Sequence, residues 1–168
     1  GLSRESKLMA RWYPSVVNKE RVGAIIVAAG SSTRMNGIDK TVALLQGVPV
    51  VARAVEAFQQ SSSVNEIVLV TSKANLGDML ELSTERNWNK VSAIRIGGQL
   101  RQDSVRLGLE ALGDCEWVVV HDGARPLVSE RLILDGLRVA RQTGAATAAV
   151  RPKDTIKRLR GDHSGFCL

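Results

Sequence analysis

A run near the beginning of the chain reads Val22-Gly23-Ala24-Ile25-Ile26-Val27-Ala28-Ala29-Gly30. Its unbroken apolar character is typical of a strand buried on both faces of a parallel sheet. The run ends in residues whose side chains are no larger than a methyl group, so a polyphosphate could approach the backbone N–H groups of the turn. Arg34 and Lys40 follow and add two positive charges beside this turn. The arrangement suits a nucleotidyl-transfer site.

Strand-like and helix-like runs alternate along the rest of the chain. Strands are predicted at Val22–Val27, Glu66–Thr71, Ala93–Ile96, Trp117–His121 and Ala146–Val150. Helices are predicted at Val50–Gln60, Leu76–Asn87, Ser104–Leu112 and Glu130–Thr143. This alternation predicts an α/β fold with a mainly parallel sheet and helices on both faces.

Length and composition are those of one globular domain. The chain has 168 residues, of which 44% are hydrophobic and 24% are charged, and a chain of this length buries about 70% of its unfolded surface. Its apolar runs stay short of the ~20 residues of a membrane span, and no signal peptide opens it. Cys115 and Cys167 make no disulfide framework. These observations predict a cytoplasmic protein without a membrane partner.

The net charge of +6 is concentrated at the two ends of the chain. Residues 1–21 and 151–168 each carry a net charge of +3, and the charges between them balance. A nucleic-acid-binding module normally carries its basic surface on the folded domain, and aromatic residues for base stacking make up only 4% of this chain. Nucleic acid is therefore not expected as a partner. Because residues 1–21 lack clear periodicity, we interpret them as an N-terminal extension or an expression remnant, and residues 22–168 as the domain.

Polar and glycine residues follow the predicted strands at their carboxyl ends. Ala28-Ala29-Gly30 ends the first strand, and Gly97-Gly98 follows the third. The fourth leads into His121-Asp122-Gly123-Ala124-Arg125-Pro126, and the last leads into Lys153-Asp154-Thr155. Ligands of parallel α/β sheets bind beyond the carboxyl ends of the strands, so these segments should gather along one edge. This convergence predicts an enzyme active site.

The first loop matches neither of two common nucleotide-binding motifs. Gly30 is followed by Ser31, Ser32 and Thr33, so the glycines of a dinucleotide fingerprint are missing. The Gly-Lys-Ser/Thr of a P-loop is missing as well. An ordinary strand-to-helix turn with Arg34 in solvent remains the alternative interpretation.

A second strand-to-helix turn reads Gly97-Gly98-Gln99-Leu100-Arg101-Gln102-Asp103-Ser104-Val105. Asp103 is a candidate N-cap for the helix that follows. The backbone at the two glycines can approach a flat base, and the Ser104 hydroxyl lies at the helix entrance, where phosphate or ribose oxygens are well placed. The alternative is a capped turn whose glycines only allow a tight bend.

Asp122 follows an apolar strand, so its carboxylate should project from the end of the sheet. A single carboxylate there suits Mg²⁺, which completes its shell with phosphate oxygens and water. Arg125 can bind a second phosphate with its guanidinium. An Asp122–Arg125 ion pair that stabilises the loop is the alternative. We interpret His121 as a packed residue rather than a base, because it precedes the turn and can face the other side of the sheet.

Cations, glycines and one acidic residue suit phosphoryl chemistry, in which positioning and charge stabilisation supply most of the catalysis. The motifs that carry this set are, in chain order, Ala28-Ala29-Gly30, Arg34-Met35, Asp39-Lys40, Gly97-Gly98, Arg101, Asp103-Ser104-Val105, His121 to Pro126, and Asp154 to Lys157. In this combination and order, the chain from about Val22 to its end resembles the 2-C-methyl-D-erythritol 4-phosphate cytidylyltransferase family of the isoprenoid precursor pathway. Each motif by itself is shared with other sugar-nucleotide pyrophosphorylase-like domains.

The resemblance implies a Rossmann-like nucleotidyltransferase that transfers a cytidylyl group from CTP to 2-C-methyl-D-erythritol 4-phosphate and releases pyrophosphate. Arg34 and Lys40 would be catalytic and would stabilise charge on the α-phosphate and on the leaving pyrophosphate. Asp122 would hold Mg²⁺, while Arg125 and Thr155 would bind the polyol phosphate. The resemblance also implies a homodimer for the full-length enzyme. The nucleotide would be bound by Ala28, Ala29, Gly30, Gly98 and Ser104.

Two features depart from the family. Gly123 stands where the family commonly has alanine. The family's domain is also longer, and its projecting β-arm and C-terminal strands have no counterpart before Leu168. The chain is therefore expected to be incomplete at its C-terminus, with a poorly ordered end beyond about Arg158 and little or no transferase activity alone.

Two other functions remain open at this point. A cytidylyltransferase for pentitol phosphates such as ribitol 5-phosphate shares most of these motifs and differs mainly in the acceptor pocket. A non-catalytic nucleotide-binding domain is the alternative from another class. Arg34, Lys40 and Asp122 together argue against it, because a binding module needs no charge at the leaving group.

Overall fold

The computed structural model describes residues 20–30, 39–151 and 153 of the chain. Its strands are β1 (Val22–Ala28), β2 (Leu44–Leu45), β3 (Val48–Pro49), β4 (Glu66–Thr71), β5 (Val91–Ile96) and β6 (Trp117–Asp122). Its helices are α1 (Val50–Gln60), α2 (Leu76–Glu85), α3 (Arg101–Ala111) and α4 (Glu130–Thr143). The strand–helix alternation read from the sequence is confirmed.

Within the described residues, the main sheet has four strands in the order β5-β4-β1-β6. All three pairings are parallel, and β1 lies between β4 and β6. The carboxyl ends of β1, β4 and β6 are level, because Ala28 is paired with Thr71 and Val27 with Asp122. β2 and β3 form a separate short antiparallel pair directly before α1.

Apolar packing covers both faces of the sheet, as predicted. On one face, Ile26 of β1 packs in a cluster with Phe58 of α1, Met79 of α2 and Ile133 of α4. On the other face, Ile25 packs with the buried valines of β4 and with residues at the end of α3. Alternate residues of β1 thus point to opposite helical layers, which explains why its sequence is apolar without interruption.

One predicted strand is wrong. Residues 145–150 adopt no regular secondary structure, and Val150 is 92% exposed. A strand needs a neighbour for its backbone N–H and C=O groups, and in the described part of the chain this segment has none. The alternation of the sequence indicated strand propensity without indicating a partner.

Two helix boundaries differ from the prediction. Helix α2 ends at Glu85 because Asn87 adopts a left-handed backbone conformation, with a φ of 50°, which an α-helix does not tolerate. Helix α3 begins at Arg101, so Asp103 is not its N-cap. The Asp103 carboxylate lies in the first turn and accepts a hydrogen bond from the backbone N–H of Leu100 at 3.1 Å. It still satisfies a free N–H group at the helix start, but from inside the helix.

The fold includes two residues that the sequence assigns to the N-terminal extension. Glu20 accepts hydrogen bonds from Trp117 Nε1 at 2.9 Å and from Arg141 Nε at 2.7 Å. Arg21 forms an ion pair with Glu66 at 3.1 Å. Expectations about residues 1–19 and about the segment beyond Arg158 concern parts outside the described residues. Among the described helices, none is both long enough and apolar enough to cross a membrane.

Candidate functional site

The loop after β1 lies at the centre of the sheet edge. Ala28 is buried and Gly30 is exposed, so the chain emerges into solvent within three residues. The loop after β6 is held close to it, because the backbone N–H of Gly123 donates to the carbonyl of Val27 at 2.8 Å. A β-carbon added at Gly123 would lie 2.9 Å from that of Ala28. The departure from alanine at position 123 therefore corresponds to a close approach of these two loops.

The loop after β5 reaches across the end of β4 to the loop after β1. The backbone N–H of Gly97 donates to the carbonyl of Thr71 at 2.8 Å. A β-carbon added at Gly97 would lie 2.3 Å from the β-carbon of Ala29 and 2.6 Å from Ser104 Oγ. Only glycine allows this contact, so Gly97 brings Ala29 and Ser104 together. Ser104 is 2% exposed and its hydroxyl lies 3.4 Å from the carbonyl oxygen of Leu100.

Asp122 is the acidic centre of the same edge. One carboxylate oxygen accepts hydrogen bonds from Arg101 Nε at 3.2 Å and Nη2 at 2.8 Å, and the other pairs with Arg125 Nε at 2.9 Å. Partial burial alone would raise the pKa of Asp122, but the hydrogen bonds and charge of Arg101, with the charge of Arg125, outweigh it and lower the pKa. The carboxylate is therefore ionised at neutral pH. Both arginines are exposed.

His121 is packed, as the sequence predicted. Its ring lies on the face of the sheet that α1 covers, with its centroid 5.1 Å from that of Phe58. Its Nε2–H donates to the carbonyl oxygen of Arg125 at 2.9 Å. Burial lowers the pKa of His121, although this hydrogen bond acts in the opposite direction. The imidazole stabilises the loop after β6 and has no geometry for acting as a base at the sheet edge.

Most of the predicted site residues lie together along this edge. Arg34 and Thr155 are outside the described residues. Lys40 is exposed in a turn that begins at Asp39. The predicted residues at the three strand ends are Ala28, Ala29 and Gly30 after β1, Gly98 and Ser104 after β5, and Asp122 and Arg125 after β6.

Two residues of the site were left without a role by the sequence. Arg101 lies at the start of α3 and pairs with Asp122. Asn75 lies just before α2 and donates a hydrogen bond to Asp39 at 2.5 Å. Both pairs join residues that are far apart in the chain, and no spacing rule connects such residues. The sequence could have offered only the general expectation that a charged residue near the sheet edge finds a partner there.

In the described part of the chain, the site residues lie along the edge of the sheet. A cleft with a volume of about 570 Å³ lies beside α1, where Pro126, Leu127 and Val128 form one wall. None of the predicted site residues lines it. The chemistry suggested by the sequence is therefore located where loops converge, and a ligand there would contact backbone groups and exposed cations.

The residues of this edge fit Mg²⁺ only when a bound phosphate supplies further ligands. Asp122 is a single carboxylate, and the described residues contain no group of three or more His, Cys, Asp or Glu side chains that could hold a metal. Mg²⁺ binds through one or two carboxylates and completes its shell with phosphate oxygens and water. Asp122 could hold the ion jointly with a bound nucleotide once an arginine turns from the carboxylate toward the phosphates.

Comparison with known proteins supports a single family. The family model described as IspD, 2-C-methyl-D-erythritol 4-phosphate cytidylyltransferase, matches residues 22–165. A protein of that name from Dehalococcoides mccartyi strain CBDB1 is 54% identical over 140 residues, which are 83% of this chain and 62% of that protein. One from Clostridium novyi is 43% identical over 141 residues, covering 83% of this chain and 61% of that protein.

A solved structure agrees with these matches. The crystal structure of 4-diphosphocytidyl-2C-methyl-D-erythritol synthase from Anaerococcus prevotii is similar with a TM-score of 0.62 and 26% identity, covering 77% of this chain and 55% of that one. The chain thus spans about three-fifths of the length of the curated relatives it matches. It belongs to the 2-C-methyl-D-erythritol 4-phosphate cytidylyltransferase family.

Proposed function

We propose that this chain carries the nucleotide-binding part of an enzyme that transfers a cytidylyl group from CTP to 2-C-methyl-D-erythritol 4-phosphate. An oxygen of the acceptor phosphate attacks the α-phosphorus of CTP, the bond to the β-phosphate breaks, and pyrophosphate leaves. The acceptor phosphate is already ionised at neutral pH, so the reaction needs no general base. The packed position of His121 is consistent with this chemistry.

The observation that carries the proposal is the closure of three loops into one rim. Gly97 brings the loop after β5 against Ala29, and the Arg101–Asp122 ion pair joins the start of α3 to the end of β6 at 2.8 Å. Backbone N–H groups, a buried hydroxyl, cations and one carboxylate therefore face the same edge. Such an edge suits a base, a ribose and a polyphosphate bound side by side.

We assign the residues of the rim according to their chemistry and the family resemblance. The turn Ala28-Ala29-Gly30 offers backbone groups to the nucleotide, and Gly98 with Ser104 receives the cytosine and ribose. Lys40, with Arg34, opposes the charge that develops on the α-phosphate and the leaving pyrophosphate.

The remaining assignments concern the metal and the acceptor. Asp122 would hold Mg²⁺ together with the phosphates, and the ion would supply further neutralisation of their charge. Arg125 and Thr155 bind the acceptor phosphate. In the whole protein we also propose a homodimer, in line with the family resemblance.

Nucleotide binding by the 168-residue chain tests the proposal most directly. Isothermal titration with CTP, ATP and GTP in the presence of Mg²⁺ should show preferential binding of CTP. The glycine turn after β5 admits a pyrimidine edge closely, and a mismatched purine would leave buried polar groups unpaired at about 1–3 kcal/mol each. Equal affinity for CTP and ATP would contradict the proposed base selection.

A second assay addresses the acceptor. Pyrophosphate release is measured with CTP and either 2-C-methyl-D-erythritol 4-phosphate or ribitol 5-phosphate. Release with the first acceptor alone supports the proposed reaction. Release with ribitol 5-phosphate alone would assign the chain to the pentitol branch. CTP binding without release from either acceptor would limit this chain to the nucleotide-binding step.

A further inference from the structure

We propose that Asp39 and Asn75 are positioning residues that fix the turn bearing Lys40, so that its ammonium group meets the phosphates of the bound nucleotide. The inference rests on the proposed function for the role of Lys40. The tether itself rests on contacts between the described residues. It connects the turn after the β1 loop to the start of α2, two segments separated by more than thirty residues.

The Asp39 carboxylate is the centre of the tether. One of its oxygens accepts hydrogen bonds from the backbone N–H of Thr41 at 2.9 Å and from Thr41 Oγ1 at 2.7 Å. The other accepts a hydrogen bond from Asn75 Nδ2 at 2.5 Å. Within the described part of the chain, these polar donors satisfy the carboxylate and Lys40 is not among its partners. No ion pair of Lys40 is formed with any other residue that the structure describes, and we infer that its charge meets a ligand.

Backbone hydrogen bonds join the same turn to α1. The N–H of Ala43 donates to the carbonyl of Asp39 at 3.2 Å, which closes one helical turn around Lys40. The N–H of Val51, in the first turn of α1, donates to the carbonyl of Thr41 at 2.9 Å. The turn is thus attached on one side to a helix and on the other, through Asn75, to the end of β4. Lys40 is the exposed residue between these attachments.

Asn75 makes this contact in place of the capping hydrogen bond that is usual at its position. It occupies the N-cap of α2, where an asparagine side chain commonly accepts a hydrogen bond from the first turn and stabilises the helix by about 1 kcal/mol. Here its side chain makes no capping bond, and its amide donates to Asp39 instead. Asn75 is 9% exposed, so its side chain is directed into the structure rather than toward solvent.

The tether ends at the edge where the nucleotide is proposed to bind. Thr71, the last residue of β4, is paired with Ala28 in the sheet, and Asn75 follows it by one turn. Burial of Asp39 alone would raise its pKa, but hydrogen bonds from Thr41 and Asn75 outweigh burial and lower the pKa. The carboxylate is therefore an acceptor at neutral pH, as the tether requires.

Asn75→Ala removes the tether. It costs α2 no capping hydrogen bond, because the Asn75 side chain makes none. Amide hydrogen exchange of Thr41 and Ala43 should accelerate at least about tenfold in the variant, because the turn opens more often. Asn89→Ala is the matched control, since Asn89 contacts Gln59 at the opposite end of the sheet, and it should leave both amides unchanged. Thr41→Val keeps the shape of the side chain and removes one hydrogen bond to Asp39, so it provides a second variant with the same expected direction.

A double-mutant cycle then asks whether the tether acts through Lys40. Asn75→Ala should weaken CTP binding about three- to tenfold in the native background and by less than about 1.5-fold in a Lys40→Ala background, since both changes remove the same contact. Equal effects in both backgrounds would overturn the proposal, as would unchanged exchange of Thr41. If exchange accelerates but no variant, including the native chain, binds CTP, the tether stands as structure and the proposed function fails, together with the role given to Lys40.

Discussion

The site is built mainly from single contacts between residues that are distant in sequence. His121 illustrates how such a contact gives a residue a measurable property. Its ring is packed on Phe58, and its Nε2–H donates to the Arg125 carbonyl. Burial lowers the pKa of His121 in the folded state. The unfolded chain therefore takes up a proton at a higher pH than the folded chain does.

This difference predicts that the free energy of unfolding decreases as the pH falls below about 6.5, the ordinary pKa of histidine. The slope can reach about 1.4 kcal/mol per pH unit for one proton. His121→Phe keeps an aromatic ring against Phe58 and should remove this part of the slope. Urea unfolding at pH 7.5 and 5.5 measures this slope in the native chain and in the variant. The pKa values of Asp39 and Asp122 are lowered in the folded state. Protonation of these carboxylates therefore reduces the free energy of unfolding only at more acidic pH, where their stabilising contacts are lost. Equal slopes in the two proteins would contradict the assignment to His121.

Residue types and their approximate location could be predicted from the sequence, but their partners could not. Asp122 was predicted at a strand end, where it lies, and the Asp122–Arg125 ion pair was recognised as an alternative to metal binding. Arg101 as the second partner was not predicted, because it depends on how closely the start of α3 approaches β6. Asp103 was assigned to the wrong helix position for a related reason, since an acidic residue suits both the N-cap and the first turn.

At the level of elements, helix α3 shows how glycine decides packing distance. Gly108 is buried against β1, and a β-carbon added there would lie 2.5 Å from Ile25 Cγ2. Ile25 is completely buried and packs in one cluster with Val68 and Val70 of β4. Helix α4 contains a glycine of the opposite kind, because a β-carbon at Gly136 would contact nothing within 4 Å. The two glycines form a matched pair in otherwise comparable helices.

Gly108→Ala should destabilise the protein, whereas Gly136→Ala should stabilise it. In both cases alanine favours the helix by about 1 kcal/mol. At Gly108 this gain is outweighed by overpacking, which costs about 1–3 kcal/mol in a filled core. At Gly136 the gain of about 0.5–1 kcal/mol remains. Denaturant unfolding of both variants measures the difference, and a stabilised Gly108→Ala variant would mean that α3 lies farther from the sheet.

The bounds of α1 and α4 and the positions of β1, β4 and β6 follow closely from the sequence because hydrophobic periodicity reports burial directly. The error at residues 146–150 has the opposite cause. A strand is a pairwise structure, and a single run of residues contains no information about the neighbour it requires. The backbone hydrogen bonds of a helix form within the helix itself, so the errors in helix prediction lie only at the ends.

At the scale of the whole molecule, the notable feature is β6, a strand at an open edge of the described sheet. It is one of the two outermost strands of the described sheet, and no described strand pairs with its outer edge. Val118 and Val120 are 36% and 39% exposed, on the face where Ile25 of the neighbouring strand is covered by α3. An edge strand with exposed β-branched residues can pair with the same strand of another copy.

We therefore expect concentration-dependent self-association of the 168-residue chain through the edge of β6. Val120→Lys places a charge on this face and should shift sedimentation velocity profiles toward monomer, because a buried charge opposes strand pairing. Val139→Lys is the matched control: Val139 is 36% exposed, close to the 39% of Val120, but it lies on helix α4 and not on the strand whose edge would pair. A monomeric native chain at all accessible concentrations, or equal effects of the two variants, would show that the β6 edge is not the surface through which copies of the chain associate.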